Sequence, residues 1–334
     1  MPADGSPLLT HGSSQQQRWG SQLAPPGFNN GSTAAPASPF FSAGVVWPKQ
    51  GDTIYSPTTM MSYTLLSTLG EGSFGVAMLG KDAYGQPYVL KAAKPFKAQA
   101  EIESDWRKEA TLMLQLNHPN VIRLHECFAV NGLFWLVMEQ AAGSLASYLS
   151  KLPDKRFPPK MIVQLAAQVF SGLEHIHLQG MIHRDLQMDK ILFSKASAGP
   201  ERLIVKICDF GIAKHLGYPA HSGLPAHTRI GREFDMSPGA LMGYATNRSD
   251  IYQVGLILYH LYTGTPALSA SDGPYYQSIP SGIAQKRACA LKTDMGDVIA
   301  GLLYVNAHHL PATARHAWAL FAPVMHYLTD PDPQ

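Results

Sequence analysis

The sequence predicts an α+β fold in which a small antiparallel sheet precedes a larger, mainly helical region. Three observations lead to this prediction. Short β-branched and apolar runs separated by glycines fill residues 63–94, two similar runs at 121–140 flank the hairpin signal Asn131-Gly132, and apolar segments at helical spacing dominate after Ser144. The chain of 334 residues is 46% hydrophobic, which is enough to bury a substantial core.

The chain is predicted to begin with a disordered leader, because its first part is rich in Pro, Ser, Gly and Gln. A folded domain follows, since the first strand-like run begins at Tyr63. The predicted divisions are the leader at 1–57, a domain at 58–328 with a small lobe at 58–140 and a large lobe at 141–328, and a tail at 329–334.

Three helices are predicted from apolar spacing, at residues 102–116, 160–180 and 250–264. The first lies between the strand-like runs, and the other two belong to the large lobe. The apolar residues of the first helix that recur at helical spacing are Trp106, Ala110, Met113 and Leu114.

Composition argues against several classes of partner. The formal charge of +2 is too small to indicate binding to nucleic acid or to an anionic membrane, so we expect neither partner. No apolar run reaches the roughly 18 residues that span a bilayer, and three widely spaced cysteines suit a reducing compartment. The protein is interpreted as cytoplasmic where it is made, and export as an effector is left open.

A glycine motif and a charge pair indicate a phosphate site. The motif GEGSFG at Gly70 to Gly75 lies between two strand-like runs, whereas a Rossmann site needs a strand followed by a helix. A β-hairpin of glycines folded over phosphates fits better, because backbone N–H groups can then approach the oxyanions. Lys91 on the next strand and Glu109 on the predicted helix form a sensible phosphate-binding pair.

Further motifs follow in a fixed order, namely HRDLQMDK at His183 to Lys190, CDFG ending at Gly211, and SDIYQVG around Asp250. Together with the glycine motif they resemble the eukaryotic-type protein kinases over about residues 63–325. The resemblance implies the bilobal protein kinase fold, in which the first predicted helix is helix C. It also implies ATP and Mg²⁺ or Mn²⁺ as cofactors and a protein substrate, with serine or threonine favoured over tyrosine.

The resemblance carries roles to individual residues. Asp185 matches the group that accepts the proton of the substrate hydroxyl, and Asp209 matches the magnesium ligand. The remaining residues placed in the catalytic set are Lys91, Glu109, Arg184 and Lys190. The residues placed around the nucleotide are Gly70, Glu71, Gly72, Ser73, Gly75, Ala77, Val89, Lys91, Met138, Glu139, Ala141 and Leu192. A stack of side chains that joins the two lobes maps to Leu124, Met113, Phe210 and His183, anchored at Asp250.

Lys190 stands where the family has an asparagine that coordinates the second metal ion. An ammonium has no lone pair to offer a metal, and two like unit charges about 4 Å apart repel by roughly 4 kcal/mol at an effective dielectric constant near 20. Two interpretations stay open. Either Lys190 has simply abolished binding of that metal, or its charge neutralises phosphate oxygens while Asp209 holds a single metal.

Other positions depart from the family pattern as well. Gln187 replaces a lysine of serine/threonine kinases, and Arg232 falls at the threonine that usually partners that lysine. Gly239 replaces a glutamate whose buried arginine partner aligns with Leu310, so we expect both members of an ion pair to be missing. Ala77 replaces a valine over the adenine ring, which removes apolar contact worth about 1 kcal/mol.

Three functions remain open from the sequence. An active protein kinase is favoured because the four central charged side chains are present, namely Lys91, Glu109, Asp185 and Asp209. The alternative is a pseudokinase, a nucleotide-binding or rigid scaffold that regulates another protein, and a third is altered ATP chemistry. Ser222 and Thr228 are predicted phosphosites that would pair with Arg184, and the alternative is that Glu233 or Asp235 supplies the negative charge constitutively.

Overall fold

A computed structural model of the protein describes residues 47–72, 75–94, 98–195, 203–211, 214–215 and 233–329. Its first part is a six-stranded antiparallel sheet in the order β1-β2-β3-β4-β6-β5, with helix α1 inserted between β4 and β5 in the chain. The elements of this small lobe are β1 (Thr53–Tyr55), β2 (Ser62–Glu71), β3 (Gly75–Asp82), β4 (Pro87–Ala93), α1 (Gln99–Gln115), β5 (Leu124–Val130) and β6 (Leu133–Glu139).

The large lobe is mainly helical and carries two small sheets, β10-β9-β7 and β11-β8. Its strands are β7 (Gly143–Ser144), β8 (Met181–Ile182), β9 (Ile191–Lys195), β10 (Leu203–Ile207) and β11 (Lys214–His215). Its helices are α2 (Leu145–Leu149), α3 (Pro159–Leu178), α4 (Pro238–Leu241), α5 (Asn247–Thr263), α6 (Tyr275–Ser278), α7 (Ile283–Ala290), α8 (Asp294–Gly301) and α9 (Ala314–Ala319). Short 3₁₀ turns occupy Met188–Lys190, Glu233–Asp235, Ala270–Asp272, Ala307–His309 and Ala322–Leu328.

This order of elements confirms the predicted α+β fold with a sheet lobe followed by a helical lobe. The hairpin between β5 and β6 turns at Asn131 and Gly132, whose φ angles of 52° and 74° are the left-handed values that a tight two-residue hairpin requires. Among the helices in the described ranges, none combines the length and apolarity needed to cross a membrane.

Strand β6 shows how the sheet separates two cores. Its residues alternate between faces, as the pleat requires. Phe134 and Leu136 join the large cluster that continues through α1 into the helical lobe, whereas Leu133, Trp135 and Val137 join a smaller cluster on the outer face. The face that carries Leu136 is therefore the one directed at the rest of the molecule.

Helix α1 packs on that inner face with most of its apolar residues. Trp106, Ala110 and Met113 are buried, together with Ile102. Leu114, which the apolar spacing groups with them, is 61% exposed. One residue advances about 100° around a helix, so the position after Met113 has already turned away from the sheet.

The sheet begins earlier than the predicted domain boundary at residue 58. Strand β1 precedes that boundary, pairs with β2 and buries Ile54. Glu126 on β5 fixes the connection, because its carboxylate accepts hydrogen bonds from the hydroxyls of Ser56, Thr59 and Tyr63. Residues 1–46 of the predicted leader lie outside the described part of the chain.

The orientation of α1 predicts different effects on stability for substitutions at the neighbouring residues Met113 and Leu114. Met113→Ala should lower the free energy of unfolding by about 2–5 kcal/mol, because it empties a buried site. Leu114→Ala should change it by no more than about 0.5 kcal/mol, because that side chain faces solvent. Chemical denaturation of the two variants checks this, and equal losses would contradict the observed orientation of the helix.

Candidate active site

The glycine motif forms the turn between two antiparallel strands, β2 and β3, as the hairpin prediction required. The amide of Gly72 donates to the carbonyl of Gly75 at 2.9 Å and closes the turn. A Cβ at Gly75 would lie 2.6 Å from the carbonyl oxygen of Ala92, so this position excludes a side chain. Ser73 lies outside the described residues.

The other two predicted members of the turn differ in their surroundings. A Cβ at Gly70 would meet no atom within 4 Å, so that position tolerates a side chain sterically. The carboxylate of Glu71 pairs with Lys94 at 2.5 Å. This pair ties the turn to the end of β4.

The residues predicted to contact the nucleotide lie on one face of the sheet. Lys91 is directly opposite Ala77 on β3, and Val89 is directly opposite Met138 on β6. Because residues two apart on a strand point the same way, all four side chains share the inner face. The register thus places the ammonium beside a half-buried apolar surface.

The connection after β6 lies where the two lobes join. The amide of Glu139 donates to the carbonyl of Arg123 at 3.0 Å, and its carboxylate pairs with Lys206 at 2.8 Å. Ala141 and Leu192 pack with Met138 against the large core cluster. The Glu139 side chain and amide are therefore engaged within the protein.

Lys91 forms the central ion pair of the site. Its Nζ is 2.7 Å from Oε1 of Glu109 and 3.0 Å from Oδ1 of Asp209. Helix α1 is held to the sheet beside this pair, since the indole of Trp106 donates to the carbonyl of Trp135 at 3.1 Å. The structure thus brings together the three residues that the sequence places 18 and 118 positions apart.

A buried carboxylate anchors the loop that carries Asp185. The two oxygens of Asp250 accept from the amides of His183 and Arg184 at 2.9 and 2.8 Å. Nε2 of His177 also contacts Asp250 at 2.8 Å. A fully buried carboxylate is stable only with several such partners, so its presence fixes the backbone of the loop.

Gln253 is a second anchor that the sequence reasoning missed. Its Oε1 accepts from the amide of Leu186 at 3.1 Å, and its Nε2 donates to the carbonyls of Arg184 and Asp235. The sequence feature that could have identified Gln253 is its position three residues after Asp250, which places both side chains on the same face of a helix.

The stack that joins the lobes is assembled in the part of the chain that is described. Leu124, Met113, Phe210 and His183 are all buried. The ring of His183 meets that of Phe210 at 5.2 Å, edge to face, and its Nε2 lies 3.0 Å from the carbonyl of Cys208. The stack that the resemblance predicted is therefore present as contiguous buried packing.

Asp185 is contacted by two residues that depart from the family pattern. Nε2 of Gln187 donates to Oδ1 of Asp185, and Nζ of Lys190 lies 3.8 Å from Oδ2. The same ammonium also contacts Oδ2 of Asp209. Lys190 thus lies between the two aspartates that were assigned different roles.

The metal-ligating groups in the site suit one divalent ion better than two. Among the described residues, no group of three or more His, Cys, Asp or Glu side chains could hold a metal ion. Magnesium in nucleotide sites is commonly held by one or two carboxylates together with phosphate oxygens, and Asp209 fits that description. Lys190 fits no metal, because an ammonium offers donors alone.

A cavity of about 180 Å³ adjoins the catalytic loop. Leu256, Ile257 and Leu268 supply apolar walls, and Gln187 lines the side nearest Asp185. Oε1 of Gln187 is buried and accepts no hydrogen bond from the described residues. The cavity therefore offers room for a side chain near Asp185, while Oε1 of Gln187 is enclosed by the protein.

The predicted ion-pair loss in the large lobe agrees with the packing. A Cβ at Gly239 would lie 2.8 Å from the carbonyl oxygen of Tyr244, so no longer side chain fits there without movement. Leu310 is buried in the core, whereas Arg315 is largely exposed and lies 3.8 Å from Glu174. Leu310 thus fills its position with apolar packing.

Arg184 adopts a left-handed backbone with φ of 73°, and burial lowers the pKa of its guanidinium. Within the described residues its side chain makes no hydrogen bond or ion pair. Its predicted partners Ser222 and Thr228 lie outside those residues. Arg232, which aligns with the threonine of the family pattern, also lies outside them.

The structure joins a sheet lobe with a glycine turn, a lysine paired to a helix carboxylate, and a loop whose backbone Asp250 anchors. Residues 63–308 match the protein kinase domain family. The chain therefore belongs to the eukaryotic-type protein kinase superfamily, as the resemblance indicated.

Similar proteins carry kinase names. Calcium-dependent protein kinase 4 of Plasmodium berghei is 32% identical over 63% of this chain and 39% of its own length. Serine/threonine-protein kinase Nek3 of Mus musculus is 31% identical over 60% of this chain and 38% of its own length. NUAK family SNF1-like kinase 2 of Rattus norvegicus is 29% identical over 77% and 40%. The chain thus spans less than half the length of these relatives.

Four histidines with lowered pKa values predict a pH dependence of stability. Desolvation lowers the pKa of His118, His125, His183 and His260; His183 is fully buried, whereas His118 and His260 are half-buried and His125 is exposed. The unfolded chain protonates them at about pH 6.5, before the folded chain does. The contribution of these histidines to the free energy of unfolding should therefore be fully present above that pH, and it should decrease as the pH falls below it.

Chemical denaturation at pH 7.5 and 5.5 measures this loss of stability. His260→Gln removes one of the four groups, so the difference between the two pH values should be smaller in that variant. An undiminished difference would show that His260 does not contribute.

Proposed function

We propose that the protein is a protein kinase that transfers the γ-phosphoryl group of ATP to a hydroxyl of a protein substrate. The observation that carries this proposal is the placement of Lys91, which contacts both Glu109 and Asp209 while Asp185 lies on a loop anchored to the same core. In this family a phosphate-binding lysine and a metal-binding aspartate must be positioned together for transfer.

Each charged group has a distinct role in the proposed reaction. Lys91 binds phosphate oxygens, and Glu109 keeps its ammonium oriented toward the cleft. The substrate hydroxyl oxygen bonds to the γ-phosphorus as the bond to the β-phosphate oxygen breaks, and ADP leaves. Asp185 accepts the hydroxyl proton at Oδ2, because its Oδ1 already accepts a hydrogen bond from Gln187.

Asp209 is the residue that would hold magnesium or manganese. A divalent ion supplies charge neutralisation for the phosphates when it is bound. Asp209 is suited to this role because its oxygens already attract two ammonium groups, Lys91 and Lys190. The metal would take the place of one of those contacts.

The cavity beside Gln187 is the proposed position for part of the protein substrate. Its volume of about 180 Å³ exceeds the ~150 Å³ that holds benzene in an engineered protein cavity. A substrate side chain in this cavity would pack on the apolar walls that Leu256, Ile257 and Leu268 supply. Gln187 contacts Asp185, so such a side chain would lie close to the reacting hydroxyl.

The second candidate function is a pseudokinase that binds nucleotide or a partner without phosphoryl transfer. The contact between Lys190 and Asp209 favours it, since an ammonium there competes with a metal for the same oxygen. The assembled stack of Phe210 and His183 would then serve as a rigid scaffold. Both candidates require the same fold, and they differ in whether Asp185 is used.

Asp185→Asn separates these two candidates. The variant should lose at least about 10²-fold in phosphoryl transfer, because general base catalysis typically contributes 10²–10⁴-fold. Its thermal stabilisation by ATP with magnesium should remain, since Asp185 is not assigned to nucleotide binding. Label transfer from ATP and a thermal shift assay measure the two quantities, with Glu103→Gln on the exposed side of α1 as the control.

Absence of transfer in the unaltered protein, with stabilisation by ATP, would establish the scaffold instead. Equal transfer by the unaltered protein and by Asp185→Asn would reject Asp185 as the base.

Ala77→Val tests the placement of the nucleotide. The added methyl groups should contact the base and tighten ATP binding by about 1 kcal/mol, or roughly fivefold. Calorimetric titration measures the affinity, and Leu79→Ile on the same strand face serves as a volume-conserving control. Unchanged affinity in Ala77→Val would place the base elsewhere.

A further inference from the structure

Lys190 is held close to the reacting groups by its backbone. The 3₁₀ turn Met188–Lys190 is closed by a hydrogen bond from the Lys190 amide to the carbonyl of Gln187 at 2.9 Å. The carbonyl of Lys190 in turn accepts from the amide of Cys208 at 2.9 Å, one residue before Asp209. Two backbone hydrogen bonds therefore fix the main chain of Lys190 next to Asp209.

The ammonium of Lys190 also lies among carboxylates. It contacts Oδ2 of Asp209 and lies 3.8 Å from Oδ2 of Asp185, while Lys91 takes Oδ1 of Asp209. The side chains of Lys190 and Asp185 are 21% and 17% exposed, so the charges are largely shielded from water. An ammonium in this position has no lone pair, so it cannot ligate a further metal ion.

We propose that Lys190 is a built-in cation that replaces the second metal ion of the nucleotide site, so that the loaded site holds one divalent ion, at Asp209. This proposal rests on the nucleotide site of the proposed function. When the metal binds Asp209, the Lys190 ammonium leaves Oδ2 and donates to a phosphate oxygen of the nucleotide. Its three donors suit a phosphate, and its origin beside Asp209 keeps it within the site.

Counting bound manganese tests the proposal without requiring activity. The full chain is saturated with a non-hydrolysable ATP analogue, and bound Mn²⁺ is counted by electron paramagnetic resonance. The unaltered protein should bind one Mn²⁺ per chain. Lys190→Asn should bind two, because an amide oxygen replaces the ammonium. Lys190→Met should bind one, because it removes the charge without adding a ligand.

Two Mn²⁺ ions in the unaltered protein, or one in Lys190→Asn with analogue bound, would overturn the proposal. The unaltered protein alone can reject it, so the result does not depend on the variants folding. If the protein bound neither the ATP analogue nor the metal ion, the nucleotide site itself would be rejected. Phosphoryl transfer is measured separately, so an inactive protein with one bound Mn²⁺ would support this inference while rejecting kinase activity.

The proposed contact with phosphate predicts a second, independent result. Lys190→Met should weaken binding of the ATP analogue about tenfold, because it removes one charge-assisted hydrogen bond. Adenosine, which has no phosphates, should bind the variant and the unaltered protein equally in calorimetric titrations. Equal loss for both ligands would show a structural role, and no loss for either would exclude Lys190 from the phosphates.

Discussion

The ion pair between Lys91 and Glu109, shared with Asp209, is the interaction on which the site depends. It joins three separate elements, namely a central strand of the small lobe, the helix packed on that strand, and the segment that follows β10. Because these charges are partly shielded from water, removing Lys91 would leave Glu109 without its partner, while Asp209 would keep its contact with Lys190. The relative placement of the sheet, helix α1 and the segment that carries Asp209 is therefore linked to this cluster of charges.

The second constraint is the strained backbone at Arg184 and Asp209, two residues of the candidate site. Arg184 and Asp209 both adopt left-handed backbone angles, with φ of 73° and 69°, and for residues other than glycine such strain costs about 1–3 kcal/mol each. Hydrogen bonds and ion pairs offset this strain at both residues. Asp250 accepts from the amide of Arg184, and two ammonium groups hold the carboxylate of Asp209. The anchoring described above thus stabilises conformations that the local sequence would not choose.

The sequence was sufficient to predict the lobes and the glycine turn from periodicity and glycine spacing, and the resemblance to the kinase family implied the grouping of Lys91, Glu109 and Asp209. The sequence was insufficient wherever the outcome depended on side-chain direction. Leu114 is an example, since one residue of helical phase separates a buried position from an exposed one. The bond from Gln187 to Asp185 is another, because a two-residue spacing in a loop does not determine which way an amide points.

The substitutions in the catalytic loop form one physically consistent set. The family pattern places a lysine at position 187 and an amide at position 190, whereas this chain has Gln187 and Lys190. The loop therefore keeps one ammonium and one amide but exchanges their positions. The amide now contacts Asp185 and the ammonium contacts Asp209, so each aspartate has a new donor on one of its oxygens. Loss of function by random substitution would leave unmatched charges in a shielded site, whereas here every carboxylate of the cluster is matched by a donor. The exchange therefore favours a site that has changed its cation over a site that has lost one.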